Sequence, residues 1–278
     1  MAKGRENDLA KALEMAARTD PGRVREHNED AVFANPALGL AILADGMGGY
    51  NAGEVASEMA VTQLAAEIEE GLSFKAAWEK EPDGVPYARA LLHERIVSAN
   101  AAIHHAAQTE PGCSGMGTTL VTALFADNQL TVAHIGDSRL YRWRSGRLEP
   151  LTKDHSLLQV QIDTGLLSPE QARQSQQKNL LTRALGAEPE VEPEIHSHGV
   201  LPGDCYLICS DGLNDMLEDQ EIARLLAQAQ DLDAAAAALI EAANSGGGRD
   251  NVSVILIRVR SDFAAPQNCW SRLVAWLR

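Results

Sequence analysis

The sequence predicts a mixed α+β chain on three observations: short apolar runs closed off by turn-forming residues, two long stretches with helical spacing, and paired turn residues at hairpin distance. The apolar runs, at 40–44, 119–126, 130–135, 140–143, 206–209 and 252–259, read as strands. Ala56, Met59, Ala60, Leu64 and Ile68 recur at helical spacing, with Gly71 expected to stop that helix, and Leu92, Ile96, Ala99 and Ile103 mark a second. Asp127-Asn128 and Ser145-Gly146 punctuate 119–151 as an antiparallel meander of three short strands. Ser168-Pro169-Glu170-Gln171 supplies an N-cap, a Pro at the first helical position and a capping-box Gln. It opens a short polar helix within 154–190, a segment read as a mobile insertion beside a site. Two later helices are expected at 219–230 and 233–244, the second ended by Gly246, Gly247 and Gly248. No internal repeat and no clear linker divides the chain.

Composition narrows the function. With 278 residues and 45% hydrophobic content the chain can bury an ordinary core. Its 24 Lys and Arg against 39 Asp and Glu leave a net charge of -15, the wrong sign for general attraction to nucleic acid or an anionic membrane. The first fifteen residues lack the apolar run of a secretory signal, and no stretch reaches the roughly 18 apolar residues of a membrane span. A cytoplasmic protein is expected. Cys113, Cys205, Cys209 and Cys269 form no CxxC pair, which suits reduced thiols, and Cys205 and Cys209 read as small apolar strand residues.

Four Asp residues share one peculiarity. Asp30, Asp45, Asp211 and Asp250 each sit at the edge of an apolar strand, flanked by turn formers. One such Asp is ordinarily a turn residue; four together suggest a site. Were the strand ends to bring these carboxylates within about 4 Å, each like-charge pair would cost on the order of 4 kcal/mol at an effective dielectric near 20. A polyvalent cation relieves that cost. Oxygen ligands without matching Cys or His favour a hard ion, Mg²⁺ or Mn²⁺, over Zn²⁺. Gly46, directly after Asp45, leaves the backbone free to approach and offer its carbonyl.

Taken in order, Arg25-Glu26-His27-Asn28-Glu29-Asp30, Asp45-Gly46-Met47-Gly48-Gly49, Gly117-Thr118-Thr119, Gly136-Asp137-Ser138-Arg139, Ser210-Asp211-Gly212 and Asp250-Asn251 resemble the bacterial branch of the metal-dependent Ser/Thr protein phosphatases, the PP2C (PPM) family. The resemblance runs from about Ala16 to Arg260. It divides the chain into an extension at 1–15, a phosphatase domain at 16–260 with a flap at about 154–190, and a tail at 261–278. It implies a four-layer α-β-β-α sandwich with two central antiparallel sheets. It also implies hydrolysis of phosphoserine and phosphothreonine in proteins, opposite a bacterial Ser/Thr kinase, by a monomer that needs no covalent intermediate. A metal-bridging water, its pKa lowered from 15.7 towards roughly 7, would attack phosphorus in line.

The resemblance assigns roles residue by residue. Asp45 would bridge two core ions, Mn²⁺ or Mg²⁺, Gly46 would lend its carbonyl, and Asp30, Asp211 and Asp250 would complete the ligand shells directly or through water. Glu29 would stand behind the ligands. Asp137 with Asp211 would hold a third, weaker ion, and Arg25 would grip the phosphate as a planar two-pronged donor. In this scheme Asp45, Asp211 and Arg25 carry catalysis. Eukaryotic members often place a His acid directly after Asp-Gly; Met47 excludes that here.

Other readings have less behind them. Asp45-Gly-Met-Gly-Gly lacks the Lys-Ser/Thr of a P-loop and the spacing of a dinucleotide fingerprint. A regulatory pseudophosphatase that keeps the fold and binds partners remains the alternative, separated by assay on a phosphopeptide. His196-Ser197-His198 lacks a matching third ligand and reads as strand or loop. Trp270, Leu273, Val274 and Leu277 give the tail one apolar helical face, for docking onto the domain or onto a partner or membrane surface.

Overall fold

A computed structural model describes residues 9–49, 52–168, 171–172, 175 and 180–265. The predicted apolar face of the tail lies outside them. Its described strands are β1 (Leu13–Asp20), β2 (Asp30–Asn35), β3 (Leu40–Met47), β4 (Gly117–Thr118), β5 (Leu120–Ala126), β6 (Gln129–Ile135), β7 (Arg139–Arg144), β8 (Arg147–Pro150), β9 (Glu194–Gly199), β10 (Cys205–Cys209) and β11 (Val252–Val259). The helices are α1 (Ala52–Phe74), α2 (Tyr87–Thr109), α3 (Leu157–Asp163), the short α4 (Asp211–Asn214), α5 (Asp219–Gln228) and α6 (Leu232–Ser245).

The strands form two antiparallel sheets, one ordered β1-β11-β10-β7-β8 and the other β2-β3-β5-β6-β9, with β4 attached to β3. Leu43, Val121, Phe125 and Val132 of the second sheet share a buried core with Leu140, Tyr206, Ile208 and Ile257 of the first. Helices α1 and α2 cover the outer face of the second sheet through Leu64, Ile68, Leu92 and Ile96. Helices α5 and α6 cover the first through Ile222, Ala236 and Leu239. Apolar residues on both faces of the central strands therefore dictate four layers.

Two expectations need correction. Helix α1 runs through Gly71 to Phe74. A Cβ on Gly71 would lie 2.5 Å from Leu91 Cδ1, so the glycine is spent on close packing against α2, and Tyr87 Oη donates to its carbonyl at 3.0 Å. The meander of 119–151 is two hairpins in different sheets: β5 pairs β6, β7 pairs β8, and β6 never pairs β7. Both predicted turns hold, with positive φ at Asp127, Asn128, Ser145 and Gly146. Between the hairpins Gly136, at φ +100, turns the chain from one sheet to the other, and a Cβ there would meet Thr119 at 2.7 Å.

Within 154–190, Ser156 caps α3, accepting from the Gln159 amide at 3.2 Å. Ser168 and Gln171 exchange the predicted capping-box bonds: the Ser168 amide donates to Gln171 Oε1 at 2.8 Å and the Gln171 amide to Ser168 Oγ at 3.2 Å. The segment leaves the body where the His155 amide donates to the Gly136 carbonyl at 2.8 Å and rejoins it beside β4, where Thr118 bridges Leu185.

Candidate metal centre

Strand register delivers the predicted acids to one end of the sandwich. Asp30 opens β2 directly opposite Asp45 near the end of β3. Asp137 lies in the crossing between sheets, Asp211 just beyond the end of β10, and Asp250 just before β11, which runs antiparallel to β10. Asp30 is buried and the other four are partly so. Burial pushes the Asp45 carboxyl well above the usual carboxylate range, and the charges of Asp30, Asp211, Asp137 and Asp250 push it further. Asp211 is raised in the same way, by burial and then by Asp137, Asp250, Asp215 and Asp30. Asp30 is pushed up to about 6 and Asp137 to about 7, burial leading in both. Asp45 and Asp211 thus each feel the charges of the other acids, an arrangement that added positive charge would relieve.

The donor chemistry fits a hard cation. Asp30 Oδ2 accepts from Ser210 Oγ at 2.8 Å, while its Oδ1 is buried without a partner. Such an orphaned carboxylate oxygen is costly unless a cation or water meets it. Gly46 belongs here too, because a Cβ on it would run into the Gly53 carbonyl and lie 2.7 Å from the Glu29 carbonyl. Its amide donates to that Glu29 carbonyl at 3.0 Å. The Glu29 carboxyl stands against Gly53 at the start of α1, raised chiefly by burial. Arg25 reaches the cluster from an exposed loop, donating from Nη2 to Asp250 Oδ2 at 2.6 Å. The candidate site residues Arg25, Glu29, Asp30, Asp45, Gly46, Asp137, Asp211 and Asp250 therefore lie at this end of the molecule.

Several residues quoted only as neighbours of the acids hold the frame. The Asp45 carbonyl accepts from the Thr119 amide at 2.8 Å and Thr118 Oγ1 at 2.9 Å. The Asp45 amide donates to Thr119 Oγ1 at 3.1 Å, and that hydroxyl meets Ser138 Oγ at 2.8 Å, linking Asp45 to the Asp137 crossing. Ser210 Oγ also accepts from the Ser253 amide at 3.0 Å. Ser138 beside Asp137 and Ser210 beside Asp211 were the available signal; the partners of these hydroxyls lie in other parts of the chain.

A second set of donors lies apart from this centre: one ligand atom each of His134, His155 and Glu194 lies within 4.8 Å of the others. Their chemistry does not suit a metal. The Gly136 amide donates to His155 Nδ1 at 3.2 Å, so the neutral ring carries its proton on Nε2, facing Glu194 Oε2 at 3.3 Å. Coordination at Nε2 would leave that ring without any proton. The two imidazoles also stack, with centroids 4.7 Å apart and planes at 21°. Although burial raises the Glu194 carboxyl, hydrogen bonds from His196 and His155 pull it down to about 2. His196 and His198 themselves lie on β9, in accord with the strand reading.

A family model described as protein phosphatase 2C matches residues 23–245. The serine/threonine protein phosphatase PstP of Mycobacterium tuberculosis is 43% identical over 247 residues, 89% of this chain, which spans 45% of that protein's length. The serine/threonine phosphatase stp of Listeria monocytogenes is 41% identical over 243 residues, 86% of this chain and 93% of that protein. Among solved structures, the catalytic domain of PstP in complex with two manganese ions superposes with a TM-score of 0.77 at 41% identity, covering 90% of this chain and 99% of that one. With the model matched across most of its length, and relatives above 40% identity around the same two-sheet frame, the chain belongs to the protein phosphatase 2C family.

Proposed function

We propose that this chain is a metal-dependent protein serine/threonine phosphatase, a phosphoric monoester hydrolase acting on phosphoserine and phosphothreonine. The observation that carries the proposal is the convergence of five carboxylates, four of them raised by burial, together with the buried Asp30 Oδ1 that has no hydrogen-bond partner. Asp30, Asp45, Asp211, Asp250 and the Gly46 carbonyl would hold two core ions, Mn²⁺ or Mg²⁺, as PstP holds two manganese ions. Asp137 and Asp211 would hold a third, weaker ion. When bound, such ions supply charge neutralisation for the phosphoryl group and lower the pKa of water. Glu29 supports the Gly46 and Gly53 backbones, and Arg25 binds phosphate oxygens at the rim. The name of PstP supports protein substrates, and that of stp the serine/threonine specificity; a Ser/Thr kinase as the opposing enzyme and a single copy of the chain as the working unit belong to the same proposal. The free thiols of Cys113, Cys205 and Cys209 suit a reducing cytoplasm, and no helix among the described residues is long and apolar enough to cross a membrane.

Chelation tests the proposal. Protein stripped of metal is expected to lose turnover of a phosphothreonine peptide and to regain it with Mn²⁺ or Mg²⁺. Full activity in the stripped protein overturns metal dependence; absence of turnover under every metal supports the pseudophosphatase instead.

A further inference from the structure

The side chain of Asn251 joins three backbone groups of one loop. Its Oδ1 accepts from the Glu29 amide at 2.8 Å, while its Nδ2 donates to the Pro21 carbonyl at 3.0 Å and the His27 carbonyl at 2.9 Å. That loop, 21–29, runs from the end of β1 to the start of β2 and carries Arg25 at its exposed crest. Asn251 is 5% exposed and immediately precedes β11, a strand held on both sides by β1 and β10. A rigid strand end thus grips both feet of the loop, while its crest is held through the Arg25–Asp250 ion pair.

The chemistry at this position demands an amide. Asp could accept from Glu29 but could not donate to two carbonyls, and a hydroxyl cannot span three groups. Neighbouring contacts press the loop onto the same support: the Arg23 amide donates to the Gly248 carbonyl at 2.7 Å, and a Cβ on Gly22 would collide with the Asp250 carbonyl. Arg25 itself is half-exposed and is steadied by Asp250, the residue preceding Asn251. Freeing a long guanidinium and its loop costs ordering entropy when phosphate binds, and that cost falls on binding.

We propose that Asn251 is a positioning residue: it touches no substrate, but holds the 21–29 loop so that Arg25 is aimed at the phosphate before substrate arrives. The proposal rests on the phosphate-binding role given to Arg25, and its test separates the two. For Asn251→Ala, KM for a phosphothreonine peptide and the inhibition constant of inorganic phosphate should both rise about tenfold, with kcat changed less than about threefold. Hydrogen exchange in 21–29 should accelerate while β10 and β11 stay protected. In an Arg25→Ala background the same change should add less than about twofold to either constant, because the group it aims is gone. If Asn251→Ala does not fold, Asn251→Ser takes its place in the cycle. Losses that multiply in the double variant, or a fall in kcat together with lost manganese, overturn the proposal alone. Unchanged constants in Arg25→Ala overturn the role of Arg25 and the proposal with it.

Discussion

Met47 and Asp137 decide how the leaving group finds its proton. A serine or threonine alkoxide must be protonated as it departs, whereas a nitrophenolate is stable near neutral pH, and a positioned acid is worth roughly 10²–10⁴ in rate only where the proton is needed. Met47, paired with Gly117 across β4, carries no acidic group. In the metal-free protein Asp137 is pushed up to about 7 by burial and then by Asp154; with the ion proposed at Asp137 and Asp211 in place, the acid on that side would be water whose pKa the cation lowers. Asp137→Ala is therefore expected to slow phosphopeptide hydrolysis at least tenfold more than aryl-phosphate hydrolysis. Equal losses on the two substrates, at unchanged core-metal content, would show that the proton comes from elsewhere. The carboxylates were legible in the sequence because Asp at a strand end is conspicuous. Asn251, Thr119 and Ser138 were not assigned roles, because their work is done through partners from 19 to 230 residues away.

At the scale of elements, the centre depends on three backbones approaching where β2 begins, β3 ends and α1 begins. Gly46 and Gly53 face one another there, and Glu29 lies against both. Gly46→Ala places a methyl against two backbone carbonyls that no rotamer change can move, so β3 and α1 must separate. Overpacking of this kind costs about 1–3 kcal/mol. The variant should melt several degrees lower and bind Mn²⁺ more weakly, as calorimetry on the stripped and loaded protein would read; an unchanged melting temperature and manganese affinity would show that the junction yields freely. Elements with buried faces were legible: α6 was expected at 233–244 and spans Leu232–Ser245. β1, β2, β8 and β9 were not, because each is an edge strand with one or more polar residues at its exposed or partly exposed positions, which blur the alternation. Nor could spacing show that β6 and β7 part company, since a turn at Gly136 suits a hairpin and a sheet crossing alike.

Across the whole molecule, the acid cluster ties metal, pH and stability together. A carboxyl whose folded pKa lies above its unfolded value keeps its proton in the fold over a range where the unfolded chain has released it, so folding is favoured by low pH. For Asp30 that range runs from about 4 to about 6 and for Asp137 from about 4 to about 7, with Asp45 and Asp211 raised as well. The metal-free protein should therefore lose stability as pH rises from about 4 to about 7, by an amount on the order of several kcal/mol. The net charge of -15 acts in the same direction through self-repulsion. A bound cation reverses the sign, because it favours the ionised carboxylates and its binding releases their protons. Thermal melts at pH 5 and pH 8, with chelator and with Mn²⁺, should thus run opposite ways: the stripped protein melts higher at pH 5, the loaded protein at pH 8. In Asp30→Asn, which removes one buried charge, the pH dependence of the stripped protein should shrink. Stripped protein that is more stable at pH 8 would mean that the five carboxylates are paired by something other than the proposed ions.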